Sequence, residues 1–327
     1  MDDALLDELT AWLRIPSIST GEPDPEGLRA AAAWVAERVR AAGGECDVVE
    51  TNANPLAVGE LSAARPDAPT VLIYGHYDVQ SIGDAAAWAS PPFEPTVRDG
   101  RIYARGASDD KGNFLPLLHV ACEMARAGEL PVNVRVLVEG EEEAGGASAI
   151  DWVRSDERGA DAAIVFDSDM ADEHTPAITV GLRGMVMAEI SLRTGERDLH
   201  SGIYGGSVLN ALHVLHGMLA QVMPGPDGRL REELRAGIEE PEPAERESWG
   251  RLRPGDEVFA EVGGRPVHPG AGAEYYERNG ADASLEVNMI AGGEPRTVVP
   301  STASAVISLR LAPRQRSEEI QPVLERL

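Results

Sequence analysis

Three hydrophobic runs with the character of β-strands each lead directly into a side chain that can bind a metal ion. Residues 71–74 continue into His76, residues 134–138 into Glu139 and residues 163–166 into Asp167. Open α/β sheets gather their ligands at the carboxyl ends of parallel strands. Carboxylates and an imidazole that meet at such an edge suit divalent cations such as zinc or manganese. The pattern therefore predicts a metal site at one sheet edge and, with it, hydrolase chemistry.

The order of the predicted elements indicates an α/β fold with two domains. Strands alternate with helical segments up to about residue 180, which predicts a mainly parallel, doubly wound sheet over residues 1–180. Residues 181–327 combine strands with an apolar helix predicted over 208–222, which indicates a smaller α+β domain. Within it, the stretch 224–280 is rich in Pro, Gly and Glu, and we expect a surface-exposed insertion there.

Charge and composition restrict the possible partners and the location. The formal net charge of −26 argues against nucleic acid and anionic membranes, because few cations are available to neutralise phosphates. The first residues lack the basic and apolar regions of a signal peptide. No apolar run approaches the roughly 20 residues that span a bilayer. We therefore expect a cytoplasmic protein, with Cys46 and Cys122 as buried thiols rather than a disulfide.

Each candidate site residue near the first two strand ends also has an ordinary structural explanation. Asp78 lies two residues after His76 and could orient the imidazole through its second nitrogen, or could cap a loop. Asp109 and Asp110 precede Lys111, the only lysine of the chain. One of the two aspartates could bridge a pair of cations, whereas a helix N-terminus would explain both equally well.

The third group of candidates is a run of three glutamates after the second strand. Glu141, Glu142 and Glu143 repel one another unless cations or solvent separate their charges. Two adjacent glutamates can have different roles, in which one binds a metal and the other takes a proton from water. A solvated turn is the alternative. Asp167 follows the third strand in the same way, with Asp169 as a nearby competitor.

Taken together in order, these motifs resemble a known family of di-zinc metallopeptidases, which includes aminoacylase, carboxypeptidase G and carnosinase-type dipeptidases. The match extends over nearly the whole chain. Its motifs are 75–80, Trp88 with 90–95, 105–112, 139–145, 181–184, 198–206, 297–300 and 310–313. The stretch His200-Ser201-Gly202-Ile203-Tyr204-Gly205-Gly206 is most similar to the carnosinase-type dipeptidases.

The resemblance implies a role for each matching residue of the first domain. Two divalent cations are expected, zinc first, with manganese or cobalt as alternatives. His76 and Asp167 would bind one cation and Glu143 the other, while Asp109, followed by a cis peptide bond, would bridge both. Asp78 would orient His76, and Glu142 would be the general base. The extra Glu141 leaves a register shift of one residue open.

For the second domain, the resemblance implies a lid and a homodimer contact. His200 would reach into the active site of the partner subunit and polarise the scissile carbonyl. Thr297 and Arg310 would hold the carboxylate end of the substrate. His213 and His216, three residues apart on a helix, could form a further metal pair, but a helix face or dimer surface explains them better. His119 is expected to be structural.

The resemblance also implies a further histidine ligand beyond Leu327, in a segment that returns to the catalytic domain. We therefore expect this chain to be a fragment whose second metal site lacks its imidazole, so that it binds the second metal weakly and is inactive alone.

The function predicted is metal-dependent cleavage of the peptide bond of dipeptides or short peptides. An N-acyl amino acid amidohydrolase, either a deacylase or a desuccinylase, would use the same residues and remains an alternative. A non-catalytic metal-binding fragment is a second alternative. A serine hydrolase is disfavoured because the chain has no Gly-x-Ser-x-Gly elbow.

Overall fold

The computed structural model describes residues 3–168, 170–172 and 174–327. The chain divides into two compact units, one ending at Ser168 and one comprising the residues after it. Among the helices in these ranges, none has both the length and the apolar character required to cross a bilayer. The assignment of the two units to a catalytic and a lid domain, with a boundary near residue 180, stays a prediction.

The first unit alternates helices and strands in the order that the sequence indicates. Its elements are α1 (Asp3–Leu13), α2 (Pro25–Ala41), β1 (Glu45–Val49), β2 (Leu56–Leu61), β3 (Thr70–His76), β4 (Thr96–Arg98), β5 (Arg101–Tyr103), α3 (Lys111–Ala127), β6 (Asn133–Glu139), α4 (Ser148–Ser155) and β7 (Ala162–Val165), with a short 3₁₀ turn at Ala85–Ala87. Tertiary burial holds the first turn of α3, because Lys111 and Phe114 are fully buried.

The five-stranded sheet has the order β1-β2-β6-β3-β7, which confirms the α/β class. Its pairing is mixed, although four of the five strands run in the same direction. β3 runs parallel to both β6 and β7, whereas β1 pairs with β2 and β2 with β6 in antiparallel fashion. A short connection is enough to join antiparallel neighbours such as β1 and β2, whereas parallel neighbours need a crossover.

Helices cover both faces of this sheet, as expected for a doubly wound architecture. On one face, α1, α2 and α3 bury a core in which Trp12 is fully enclosed and stacks on Trp34 with ring centroids 5.0 Å apart. On the other face, Ala149 and Trp152 of α4 pack against Leu56 and Leu137. Each strand side chain belongs to one core or the other because successive residues of a strand point to opposite faces.

The second unit is built on a three-stranded antiparallel sheet of order β10-β12-β8. Its elements are β8 (Met185–Arg193), β9 (Leu199–His200), α5 (Ser201–Tyr204), α6 (Ala211–Val222), a 3₁₀ turn (Glu232–Arg235), α7 (Pro243–Trp249), α8 (Gly255–Glu261), α9 (Tyr275–Gly280), β10 (Ser284–Gly292), β11 (Val298–Val299), β12 (Thr302–Arg310) and α10 (Ser317–Arg326). Helices α6 and α10 share a core with this sheet.

In the second unit, the start of α6 and the amount of regular structure in 224–280 differ from the sequence prediction. Helix α6 begins at Ala211 rather than 208, because the Asn210 side chain accepts hydrogen bonds from the backbone N–H groups of Leu212 and His213 and so caps the helix. The stretch 224–280 contains three short helices and a 3₁₀ turn, so it is more structured than its composition indicated.

Candidate metal centre

The parallel strands bring the predicted site residues to one edge of the first sheet. His76 is the last residue of β3 and lies opposite Glu139, the last residue of β6. Tyr74 lies opposite Val165 at the end of β7, two residues before Asp167. Because all three strands run in the same direction, the segments that follow them emerge side by side.

The side chains of His76, Asp109 and Asp167 form a cluster of potential metal ligands. One ligand atom from each lies within 4.8 Å of the other two. His76 Nε2 is 2.9 Å from Asp109 Oδ1 and 3.8 Å from Asp167 Oδ2. The imidazole is fully buried, while the Asp109 side chain is 64% exposed. An ion could therefore enter from solvent and be held against a fixed imidazole.

Asp78 fixes the orientation and the tautomer of this imidazole. His76 Nδ1 lies 3.0 Å from the backbone oxygen of Asp78 and 3.3 Å from its Oδ1. Since both neighbours of Nδ1 are acceptors, we assign the proton of the neutral ring to Nδ1. In the neutral ring, the lone pair on Nε2 is then directed towards Asp109, where a cation could replace the second proton of the imidazolium.

The electrostatics of the centre fit a cation. Burial lowers the pKa of His76, but hydrogen bonding and charge from Asp78, with the charge of Asp110, outweigh it and raise the value to about 10. Burial raises the pKa of Asp110 to about 8, and burial is also the largest cause of the raised pKa values of Glu142 and Glu143. Several carboxylates thus surround a single imidazole, an arrangement that a divalent cation would neutralise.

The two adjacent aspartates point to different surroundings. The peptide bond between Asp109 and Asp110 is cis, as the resemblance implies. Asp110 is fully buried, and its Oδ2 accepts the backbone N–H of His76 at 3.1 Å. Its Oδ1 is buried without a hydrogen-bond partner among the described residues. Asp109 is therefore the one whose carboxylate faces His76 Nε2.

Lys111, conspicuous in the sequence, does not point at the metal ligands. Its fully buried ammonium donates to the backbone oxygens of Trp12 and Ile15 at 3.2 and 2.8 Å. These carbonyls lie at the end of α1, where orphan acceptors need donors. Burial lowers the pKa of Lys111 to about 7, partly offset by the charge of Asp78. Lys111 therefore joins the end of α1 to the turn that carries the aspartates.

The three successive glutamates have three different environments. Glu141 is buried, and its carboxylate accepts the Ser148 hydroxyl at 2.6 Å and the Asn54 N–H at 2.9 Å. Glu142 is exposed, and after partial burial the charges of His76 and Asp167 have the largest effects on its pKa. Glu143 accepts a hydrogen bond from Gln80. Asn54 and Ser148 therefore hold the carboxylate of Glu141, and these contacts distinguish it from Glu142 and Glu143.

The sequence reasoning missed Gln80 as a site residue. Its Nε2 donates to Glu143 Oε2 at 2.7 Å. Gln80 belongs to the stretch 75–80 that carries the family resemblance, so a signal was present. The hydroxyls of Ser19 and Thr20 donate hydrogen bonds to the side chains of Asp78 and Gln80. No sequence motif indicated these two residues.

The substrate residues predicted for the second domain lie in the second unit. His200 in β9 pairs with Val298 of β11, and Ser201 N–H donates to the backbone oxygen of Thr297 at 3.0 Å, so His200 and Thr297 are neighbours. His200 Nδ1 accepts the Gly202 N–H at 3.0 Å, which assigns the proton of the neutral ring to Nε2. Arg310 is exposed at the end of β12.

The remaining histidine and aspartate candidates have simpler explanations. His119 Nδ1 lies 3.0 Å from Glu8 Oε2 between α3 and α1, which agrees with a structural role. His213 and His216 are exposed on α6 and do not belong to the metal-ligand cluster found among the described residues. Asp169, the competitor of Asp167, lies outside the described residues.

Comparison with known proteins defines the family. The model of peptidase family M20/M25/M40 matches residues 72–315, which is more than half of the chain. The chain therefore belongs to this family of peptidases. The match confirms the resemblance to metallopeptidases that the sequence motifs indicated.

Individual relatives agree with this assignment. The chain is 31% identical over 227 residues to the Beta-Ala-His dipeptidase of Rattus norvegicus, covering 64% of this chain and 46% of that protein. It is 27% identical over 288 residues to the Cys-Gly metallodipeptidase dug1 of Schizosaccharomyces pombe, covering 83% of this chain and 59% of that protein. The chain thus spans about half the length of these curated relatives.

A solved structure gives the same result for the fold. The M20 family metallo-carboxypeptidase Sso-CP2 from Sulfolobus solfataricus superposes with a TM-score of 0.86 at 29% identity, covering 100% of this chain and 75% of that chain. The architecture described above is therefore that of a family of metal-dependent peptidases.

Proposed function

We propose that the protein is a metal-dependent dipeptidase that cleaves the peptide bond of dipeptides or short peptides. The observation that carries the proposal is the convergence of His76, Asp109 and Asp167 within 4.8 Å in a chain of a peptidase family. The relatives named for dipeptidase activity support the substrate class.

The proposed cofactor is a pair of divalent cations, zinc in the first place, with manganese or cobalt as alternatives. His76 and Asp167 would hold one cation, Glu143 the other, and Asp109 both. Bound there, the cations would lower the pKa of a water molecule and polarise the scissile carbonyl. The mixed donor set, in which several carboxylates surround one imidazole, supports this assignment.

Glu142 is the proposed general base. It would accept the proton of the attacking water and pass it to the leaving amine. Its exposed surface allows contact with substrate, while partial burial of the carboxyl group, together with the charges of Asp167 and Glu143, raises its pKa. A raised pKa brings a carboxylate closer to the operating pH, at which a base that must also release its proton works best.

For the second domain, residues 181–327, the proposal is that of a lid and a dimerisation domain, with residues 1–180 as the catalytic domain. His200 would donate from Nε2 to the carbonyl oxygen in the active site of the partner subunit. Thr297 and Arg310 would bind the carboxylate of the substrate. The homodimer and the cytoplasmic location belong to the same proposal, and analytical ultracentrifugation tests the dimer.

The experiment compares three substrate classes on the zinc- or manganese-loaded protein: β-Ala-His and Cys-Gly, an N-acetyl amino acid, and an N-succinyl amino acid. Dipeptide cleavage that a chelator abolishes and added metal restores supports the proposal. Preferential cleavage of the N-acyl substrates would instead identify an amidohydrolase. If the metal-loaded protein cleaves none of these substrates, the result would support a protein that binds metal without catalysis.

Glu142→Gln provides the residue-level test. The amide cannot accept a proton, so turnover should fall by a factor of about 100 or more, while metal content measured by atomic absorption stays the same. Glu157→Gln is the control, because Glu157 is exposed and has no proposed role. Near-normal turnover of Glu142→Gln would remove Glu142 from the mechanism.

A further inference from the structure

A short segment after α1 runs alongside the segment that follows β3. Ser17 Oγ donates to the backbone oxygen of Tyr77 at 2.6 Å. Ser19 N–H donates to the backbone oxygen of Val79 at 3.1 Å, and Val79 N–H donates to the backbone oxygen of Ser17 at 2.9 Å. The two segments are thus paired through their backbones, which places the hydroxyls of Ser19 and Thr20 next to Asp78 and Gln80.

The hydroxyl of Ser19 acts on Asp78. Ser19 Oγ donates to Asp78 Oδ2 at 2.6 Å, and both side chains are buried. The same oxygen accepts the backbone N–H of Glu143 at 3.1 Å. Asp78 Oδ1 lies 3.3 Å from His76 Nδ1. Through one carboxylate, Ser19 is therefore connected to the backbone of Glu143 by a hydrogen bond and to the imidazole of His76 by a charge contact.

The hydroxyl of Thr20 acts on a different side chain. Thr20 Oγ1 donates to Gln80 Oε1 at 2.9 Å, and Gln80 Nε2 donates to Glu143 Oε2 at 2.7 Å. Thr20 Oγ1 also accepts the Ser81 N–H at 3.0 Å, which directs its own proton towards Gln80. Thr20 thereby fixes the orientation of the Gln80 amide, because a flipped amide would turn its oxygen against the Glu143 carboxylate.

We propose that Ser19 and Thr20 are positioning residues for the two metal sites, Ser19 through Asp78 for both His76 and Glu143, and Thr20 through Gln80 for Glu143 alone. The inference rests on the proposed function, because it takes His76 and Glu143 as ligands of different cations. The Gln80 amide occupies one oxygen of Glu143 and leaves the other available. Partners of this kind that hold metal ligands contribute about 10- to 100-fold to metal affinity.

The test measures zinc affinity by competition with a chromophoric chelator in the purified protein. Thr20→Val removes the donor at nearly constant volume and should weaken one zinc-binding step by about 10-fold, while Thr20→Ser should restore it. Ser19→Ala should weaken every resolved zinc-binding step. Thr96→Val is the matched control, because the Thr96 hydroxyl donates to the backbone oxygen of Glu94 at the start of β4 and has no proposed role.

A double-mutant cycle separates a relay from a general loss of structure. If Thr20 acts through Gln80, then Thr20→Val added to Gln80→Met should change zinc affinity no further than Gln80→Met alone. At saturating zinc, turnover of Thr20→Val should return to that of the unsubstituted protein. Additive losses in the cycle, or turnover that zinc does not restore, would overturn the relay.

Glu143→Ala distinguishes failure of this inference from failure of the proposed function. If Glu143→Ala weakens zinc binding and Thr20→Val does not, the positioning role is wrong while the metal site stands. If Glu143→Ala leaves every zinc-binding step unchanged, the proposed ligand assignment is itself wrong, and the role of Thr20 is overturned with it.

Discussion

Replacing Glu141 with alanine should destabilise the protein strongly, although two further glutamates follow it. The carboxylate of Glu141 accepts the Ser148 hydroxyl at 2.6 Å and the Asn54 N–H at 2.9 Å and so ties the β1–β2 connection to the start of α4. Hydrogen bonds to a charged group contribute about 1.5–3 kcal/mol each. Losing both therefore costs about 3–6 kcal/mol, a large part of a typical total of about 5–15 kcal/mol.

The assay is urea unfolding of the metal-free protein, followed by tryptophan fluorescence. Four of the five tryptophans lie in the unit that holds Glu141, so the signal reports mainly on that unit. Glu142→Ala is the control and should change the free energy of unfolding by no more than about 0.5 kcal/mol, because the side chain is exposed. It should also abolish turnover.

This pair of variants decides the register of the three glutamates. If Glu141→Ala is as stable as the control and has lost turnover instead, Glu141 is the catalytic base and the assignment to Glu142 is refuted. A loss of stability below about 1 kcal/mol for Glu141→Ala would likewise contradict the stabilising role assigned to its hydrogen bonds with Asn54 and Ser148.

Two further predictions concern packing and pH. A Cβ at Gly75 would lie 2.5 Å from Phe114 Cδ2 and 2.6 Å from Asp110 Oδ2. Gly75→Ala should therefore lower the free energy of unfolding in urea by about 1–3 kcal/mol and weaken zinc binding. Gly217→Ala is the control and should do neither, because a Cβ there would have no atom of the described residues within 4 Å beyond the backbone of its own helix. The Arg135 hydrogen bond lowers the pKa of Asp156 from 3.8 to about 2. A lowered folded-state pKa stabilises the protein above the ordinary value, and this contribution is lost as the pH falls from 3.8 towards 2. Acid unfolding of Asp156→Asn should therefore be less steep over that interval, and an unchanged acid titration followed by circular dichroism would contradict it.

The sequence by itself determined the elements that carry the site. Hydrophobic periodicity is a local property, so β3, β6 and β7 could be predicted from their apolar residues. The site residues at their ends followed from the rule that parallel strands share one edge. The distinction between Asp109 and Asp110 needed the family resemblance, because both follow the same glycine-rich turn and either could cap a helix.

Only the tertiary structure decided which side chain faces which partner. Glu141, Glu142 and Glu143 are chemically identical and adjacent. Glu141 differs from the other two by its hydrogen bonds to Asn54, 87 residues away in sequence, and to Ser148, seven residues away. Thr20 and Gln80 are 60 residues apart, and no local pattern encodes their hydrogen bond. The antiparallel placement of β1 and β2 likewise depends on pairing across the sheet. Propensity and periodicity act over a few residues, whereas burial and hydrogen-bond partners are fixed only when distant segments pack together.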